Sequence, residues 1–192
     1  MMWPPSRRIL VAGGAALVLL IAGGLALSNA LGSDTGAPPA ATVRSTVPAG
    51  YSVKLTDEIT DCAAHSRGRT KTSFEAQNCV KATRLLATGR VGGRKVLFVV
   101  SRIEMPSAAA AAGVKQVLDG SGTGNLNDLI RDGKTFPGAP DKMPGSGYAS
   151  VQTGTVVTVS EAGFVDGGRS SSTDASLRAA ASEVAGMVST GS

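Results

Sequence analysis

Several residue types on which enzyme and metal sites depend are scarce in this chain. It has one histidine, His65, and two cysteines, Cys62 and Cys79, among 192 residues. A closed zinc site wants four Cys or His ligands. Cys62-x-x-His65 supplies half of such a pattern and Cys79 a third ligand, with no obvious fourth. No Cys-x-x-Cys is present, and haem attachment would need a second cysteine before the histidine. With one imidazole, any His-dependent nucleophile has one base available. Neither the Gly-x-Ser-x-Gly of α/β hydrolases nor the Ser-x-x-Lys of penicillin-binding enzymes occurs. His65, Cys79 and Arg84 are the residue types of a sortase-like transpeptidase. A sortase cysteine, however, ends a strand far beyond its histidine, and here only fourteen positions separate the two. Aromatic residues make up 4% of the chain, too few for the base-stacking platforms of nucleic-acid binders despite a net charge of +5.

Charge is absent altogether from Ile9 to Leu31 (ILVAGGAALVLLIAGGLALSNAL), directly behind Arg7-Arg8. About 20 apolar residues cross a ~30 Å hydrocarbon core. The run therefore predicts a transmembrane signal-anchor helix over 9–31. The flanking Arg pair puts residues 1–8 in the cytoplasm and everything after the span outside. Ser28-Asn29-Ala30 offers a cleavage site, so secretion after Ala30 is the alternative; the length of the apolar run favours retention. Residues 32–50 are rich in Pro, Ala, Gly, Ser and Thr and read as a flexible linker. A domain over 51–188 and a short disordered tail, 189–192, complete the organisation. With Arg7 and Arg8 set aside, 17 basic residues face 14 acidic ones in the exported part, a net charge of about +3.

Within the domain, Tyr51–Leu55 alternates as a strand, and Thr56 can cap a short helix over Asp57–Ala64. Thr72-Ser-Phe-Glu75 has the spacing of a capping box and predicts a helix from Ser73 to Thr88, closed by Gly89. Arg94–Met105, after Gly92-Gly93, is a β-branched run suited to a strand covered on both faces. Pro106-Ser107 opens a helix to Leu118, and Asn125–Ile130 reads as a short helical turn. Arg131–Gly147 is an unusually long loop. Tyr148–Gln152 and Thr155–Phe164 read as a hairpin about Thr153-Gly154, and Thr173 or Asp174 caps a last helix. The expected fold is a small α+β domain: one mostly antiparallel sheet with helices mainly on one face.

Outside a reducing cytoplasm, Cys62 and Cys79 read as a disulfide rather than as metal ligands. Gly120-Ser-Gly-Thr-Gly-Asn125 has phosphate-loop composition but follows a helix, where a helix-ending turn is the better reading. Charge is uneven. Lys54–Arg102 carries ten basic and four acidic residues, while six basic residues face nine acids from Ile103 onward. Arg67, Arg69 and Lys71 form the densest basic patch and point to an anionic envelope component or an acidic protein face as partner. No metal, cofactor or nucleic acid is expected.

Asp61-Cys-Ala-Ala-His-Ser66, Cys79, Glu104-Met105, Asp119–Gly124 and Tyr148-Ala-Ser150 together give a resemblance. Over 51–188 the chain resembles single-pass exported proteins of high-GC Gram-positive (actinobacterial) bacteria. The resemblance implies membrane anchoring and brings no known activity with it, so it transfers no site residue. The expected function is that of a membrane-anchored extracytoplasmic binding domain, contacting partners through Arg67–Lys71 and Arg131–Gly147. The alternatives are a cell-envelope enzyme using His65, or an accessory subunit of a membrane complex acting through its span.

Overall fold

The computed structural model describes residues 49–166 and 173–190. The proposed span over 9–31, the cleavage site and most of the linker lie outside them. Among the described residues no helix is long and apolar enough to cross a membrane.

The domain is a small α+β fold of five strands and three helices. They run β1 (Ala49–Ile59), α1 (Gly68–Ala76), β2 (Lys81–Val91), β3 (Arg94–Glu104), α2 (Ala108–Leu118), β4 (Gly147–Thr153), β5 (Val156–Phe164) and α3 (Ala175–Thr190). The sheet order is β1-β2-β3-β5-β4, and every neighbouring pair is antiparallel. β1 opens at Ala49 and α3 continues to Thr190, so regular structure begins and ends slightly outside 51–188.

Two of the expected helices are strands or turns. The Asp57–Ala64 helix is the end of β1 followed by turns. The Ser73–Thr88 helix is split: α1 occupies Gly68–Ala76 without a side-chain cap, and Lys81–Val91 is β2. The physical reason lies in β2 itself. Burial alternates from Lys81 to Leu86, but residue type does not follow it: Arg84 stands on the buried face and Leu85 on the half-buried one, so Leu85-Leu86 imitates a helical period. The stronger signal was Gly92-Gly93. Both glycines have positive φ (58° and 80°), as a two-residue hairpin turn of this type requires, and they fold β2 back on β3 with Val91 opposite Arg94. Asn125–Ile130 is not helical either, since Leu126 bridges to Ser66.

The elements expected from Arg94 onward otherwise form. Ser107 caps α2 by accepting from the Ala110 amide at 3.1 Å, and Asp174 caps α3 by accepting from Leu177 at 3.2 Å. Val96, Phe98 and Val100 on β3 pack with Ala162 and Phe164 against Leu177, Ala181 and Val184 of α3. Ile103, Val157 and Val159 point the opposite way, toward Phe74 of α1 and Val114 and Leu118 of α2. The helices therefore cover both faces. Two of them share one face with the long loop, and α3 has the other to itself.

Cys62 and Cys79 are disulfide-bonded, with Cα atoms 5.8 Å apart. The bond ties the turn after β1 to the residues just before β2, rather than joining two helices as the sequence suggested. The Asn78 side-chain oxygen accepts from both cysteine amides, at 3.0 and 2.9 Å. The ends of the 60–80 connection are thus closed covalently and by hydrogen bonds.

Candidate functional site

The loop-covered face of the sheet is laid out by strand register. Two rows of cross-strand neighbours matter: Leu55, Leu86, Val99, Glu161 and Tyr148, and beside it Asp57, Arg84, Ser101, Val159 and Ser150. Each row crosses all five strands. The first is apolar except at its β5–β4 end; the second begins with an ion pair.

Arg84 is 1% exposed, so its charge requires nearby compensation. Its Nη2 donates to Asp57 Oδ2 at 2.6 Å, and Nη1 donates to the Asn127 carbonyl at 3.0 Å and to the Asp132 carboxylate. Lys134 Nζ lies 2.5 Å from the other Asp57 oxygen. His65 Nδ1 lies 2.6 Å from Asp132 Oδ2, and Asn127 Nδ2 donates to Asp132 Oδ1 at 3.1 Å. Hydrogen bonds from Lys134 and Arg84 hold the Asp57 carboxyl below its usual pKa. For Asp132, burial acts upward, but the bonds from Arg84 and His65 outweigh it and the net direction is down. The network clasps the long loop, through Asn127, Asp132 and Lys134, onto β1 and β2.

An oriented His65–Asp132 pair is one part of a nucleophile-activating arrangement. The other part is missing among the described residues. Ser66 Oγ donates to the Cys62 carbonyl at 2.7 Å, and Cys79 is oxidised. Asp132 also answers Arg84, so its charge is not reserved for the imidazole. Among the described residues no group of three His, Cys, Asp or Glu side chains is placed to hold a metal ion.

The same loop roofs a cavity of about 510 Å³ over β3 and β5. Val99, Ser101, Ile103 and Val159 form its floor, while Met143 and Pro144 come from the loop above. Glu161 stands at one end. Its Oε1 accepts from Asn125 Nδ2 at 2.9 Å and its Oε2 from Ser146 Oγ at 2.9 Å. Burial raises the Glu161 pKa, helped by the nearby Asp128 charge and opposed by Ser146, Arg67 and Arg131. The volume falls in the usual range for small-molecule sites, roughly 300–1,000 Å³. The lining is mixed: an apolar floor is surrounded by the charged side chains of Arg67, Asp128, Arg131, Asp141, Lys142 and Glu161.

The cavity wall is fixed by backbone-to-backbone packing between 65–70 and 123–127. Asn127 donates its amide to the His65 carbonyl at 2.7 Å, and Thr70 donates to the Thr123 carbonyl at 3.1 Å. Gly124 has φ 85°, and a Cβ there would sit 2.2 Å from the Arg67 carbonyl oxygen. The Gly120–Gly124 run is thus a close-packed turn after α2, as its position in the sequence indicated. Gly133-Lys134-Thr135 has the residue types that end a phosphate loop, yet no strand precedes it and Lys134 is committed to Asp57.

Of the three basic residues singled out from sequence, Arg67 lines the cavity and donates to Asn127 Oδ1 at 3.1 Å. Arg69 is exposed on α1, and Lys71 forms an exposed pair with Glu75 at 3.8 Å. The structure does not bring all three to one site. Arg131, Met143 and Pro144 of the expected contact loop do reach the cavity. Glu161, Ser101 and the Arg84 network went unnoticed in the sequence. A lone acid between Val159 and Ala162 was the available signal for Glu161. Comparison with protein-family models, curated proteins and solved structures gives no match for this chain, so the site stands on its own geometry.

Proposed function

We propose that the domain is an extracytoplasmic ligand-binding module, tethered to the cell membrane through Ile9–Leu31 and acting by binding rather than catalysis. The observation that carries this reading is the cavity of ligand-binding size between the β3–β5 floor and the long loop, its floor apolar and its surround charged. The clasp of Asp57, Arg84 and Asp132 supports it, because it holds the roofing loop in place without occupying the cavity. The Cys62–Cys79 disulfide and the charge-free run behind Arg7-Arg8 support an oxidising exterior. Arg67, Arg69 and Lys71 are exposed around the start of α1 and would face an anionic envelope component.

N-phenyl-1-naphthylamine, a neutral apolar dye that brightens in dry surroundings, tests the cavity. It should bind the oxidised protein saturably. Val159→Trp, which fills the floor, and Met143→Trp, which fills from the roof, should each weaken that binding at least ~10-fold, about 1.4 kcal/mol. Far-UV circular dichroism of each variant checks folding. Absence of saturable binding, or binding untouched by both variants in a folded protein, would count against the reading.

A further inference from the structure

We propose that the cavity takes an apolar molecule bearing a primary ammonium group, its nitrogen seated on the Glu161 carboxylate. This rests on the cavity being the binding site and names the chemistry it selects.

Glu161 is a largely buried carboxylate in the cavity lining with no ion-pair partner in direct contact. It projects from the middle of β5, flanked across the sheet by Val99 and Tyr148. Its two oxygens each accept one hydrogen bond, from Asn125 and Ser146, and both donors are neutral. Among the described residues no Lys or Arg nitrogen lies within ion-pair distance of it. A carboxylate offers about four acceptor positions, so two remain for a ligand's N–H groups. Burial disfavours the charged form, and the more distant charges of Arg67 and Arg131 offset it only in part, so the net direction of the pKa is up. A bound ammonium would place a positive charge in direct contact with the carboxylate, beside the apolar floor.

The cations of the cavity do not favour the opposite choice. Arg67, Arg131 and Lys142 are exposed at its mouth, and Arg67 is engaged by Asn127. The Arg67 and Arg131 charges do act on Glu161, but without outweighing its burial. An anionic head group seated at Glu161 would instead meet that carboxylate and the nearby charge of Asp128, which also lines the cavity. The floor of Val99, Ile103 and Val159 suits the apolar body in either case. Head-group charge is therefore the discriminating variable.

Three compounds sharing one apolar body isolate it: 1-naphthylmethylammonium, 1-naphthylmethanol and 1-naphthoate, titrated into the full oxidised protein at neutral pH. A charge-assisted bond to a partly buried carboxylate should make the ammonium bind about tenfold or more tighter than the alcohol. The carboxylate should bind weakest. Glu161→Gln should abolish the preference while leaving the alcohol's affinity within about twofold, since Gln accepts from Asn125 and the Ser146 hydroxyl can turn. Equal affinities of ammonium and alcohol, tightest binding of 1-naphthoate, or a preference surviving Glu161→Gln would each overturn this inference. If N-phenyl-1-naphthylamine still binds in those cases, the cavity remains the site and only its head-group chemistry is wrong. If neither the dye nor any of the three compounds binds, both readings fall.

Discussion

Replacing Arg84 by Met is the most demanding test of how the loop is held. Arg84 is almost wholly buried, and it donates to Asp57, Asp132 and the Asn127 carbonyl. Removing one partner of a buried ion pair costs about 3–5 kcal/mol, because the charges left behind remain poorly solvated. The lower end applies here. Asp57 keeps Lys134, Asp132 keeps His65 and Asn127, and both carboxylates are 15–18% exposed. Arg84→Met should therefore lower the unfolding free energy by about 3 kcal/mol, a large share of the ~5–15 kcal/mol typical of a domain. Equilibrium urea denaturation of the disulfide-intact protein measures it. The triple variant Asp57→Asn, Arg84→Met, Asp132→Asn removes the stranded charges and should recover at least half of the loss. A loss below about 1 kcal/mol for Arg84→Met would place the network in the weak regime of solvated surface pairs. A triple variant as unstable as the single one would show that the cost lies in packing rather than in uncompensated charge.

Further outcomes follow from the same geometry. The Asp57 and Asp132 carboxyls have folded pKa values lowered below their unfolded ones, so the stability they contribute is present above about pH 4. It should drain away as pH falls through the folded values, and the acid limb of a melting-temperature profile should flatten in the triple variant. Glu161 runs the other way: its folded pKa is raised, so its stability contribution is lost as pH rises through that value. Glu161→Gln should raise the melting temperature at pH 7 and leave it unmoved at pH 3. Cys62→Ser with Cys79→Ser opens a bond spanning 17 positions and should cost about 3 kcal/mol in urea denaturation. Gly124→Ala forces a Cβ onto the Arg67 carbonyl at positive φ and should cost about 2–4 kcal/mol, whereas Gly186→Ala, which meets nothing within 4 Å in α3, should be neutral or stabilising.

The part of the fold after Arg94 was legible because its signals are local. A β-branched run, a Ser107 cap, a hairpin and the Leu177–Val184 helical period each need only a short window. β2 was hidden because it carries Arg84 on its buried face and Leu85 on its half-buried one, so the alternation of burial is not matched by an alternation of polarity. Its true register depends on β3, a partner that a window over residues 73–88 does not include. The capping-box spacing of Thr72 and Glu75 was misleading for a related reason. α1 begins earlier, at Gly68, where the chain packs against Thr123 and Gly124, some fifty positions away. The disulfide was readable from compartment and count, but the elements it joins were not. Of the candidate site, Arg67 and the loop from Arg131 were visible as composition. Glu161 acquires meaning only when Asn125 and Ser146 are brought to it by a fold in which 125, 146 and 161 converge.

That convergence can be observed directly. Methyl-labelled protein titrated with N-phenyl-1-naphthylamine should show saturable NMR shifts at Val99, Ile103, Val159 and Met143, while Leu177 and Val184 of α3 stay still. Shifts confined to the α3 side, or none at saturating dye, would contradict the placement of the binding site between the β3–β5 floor and the loop.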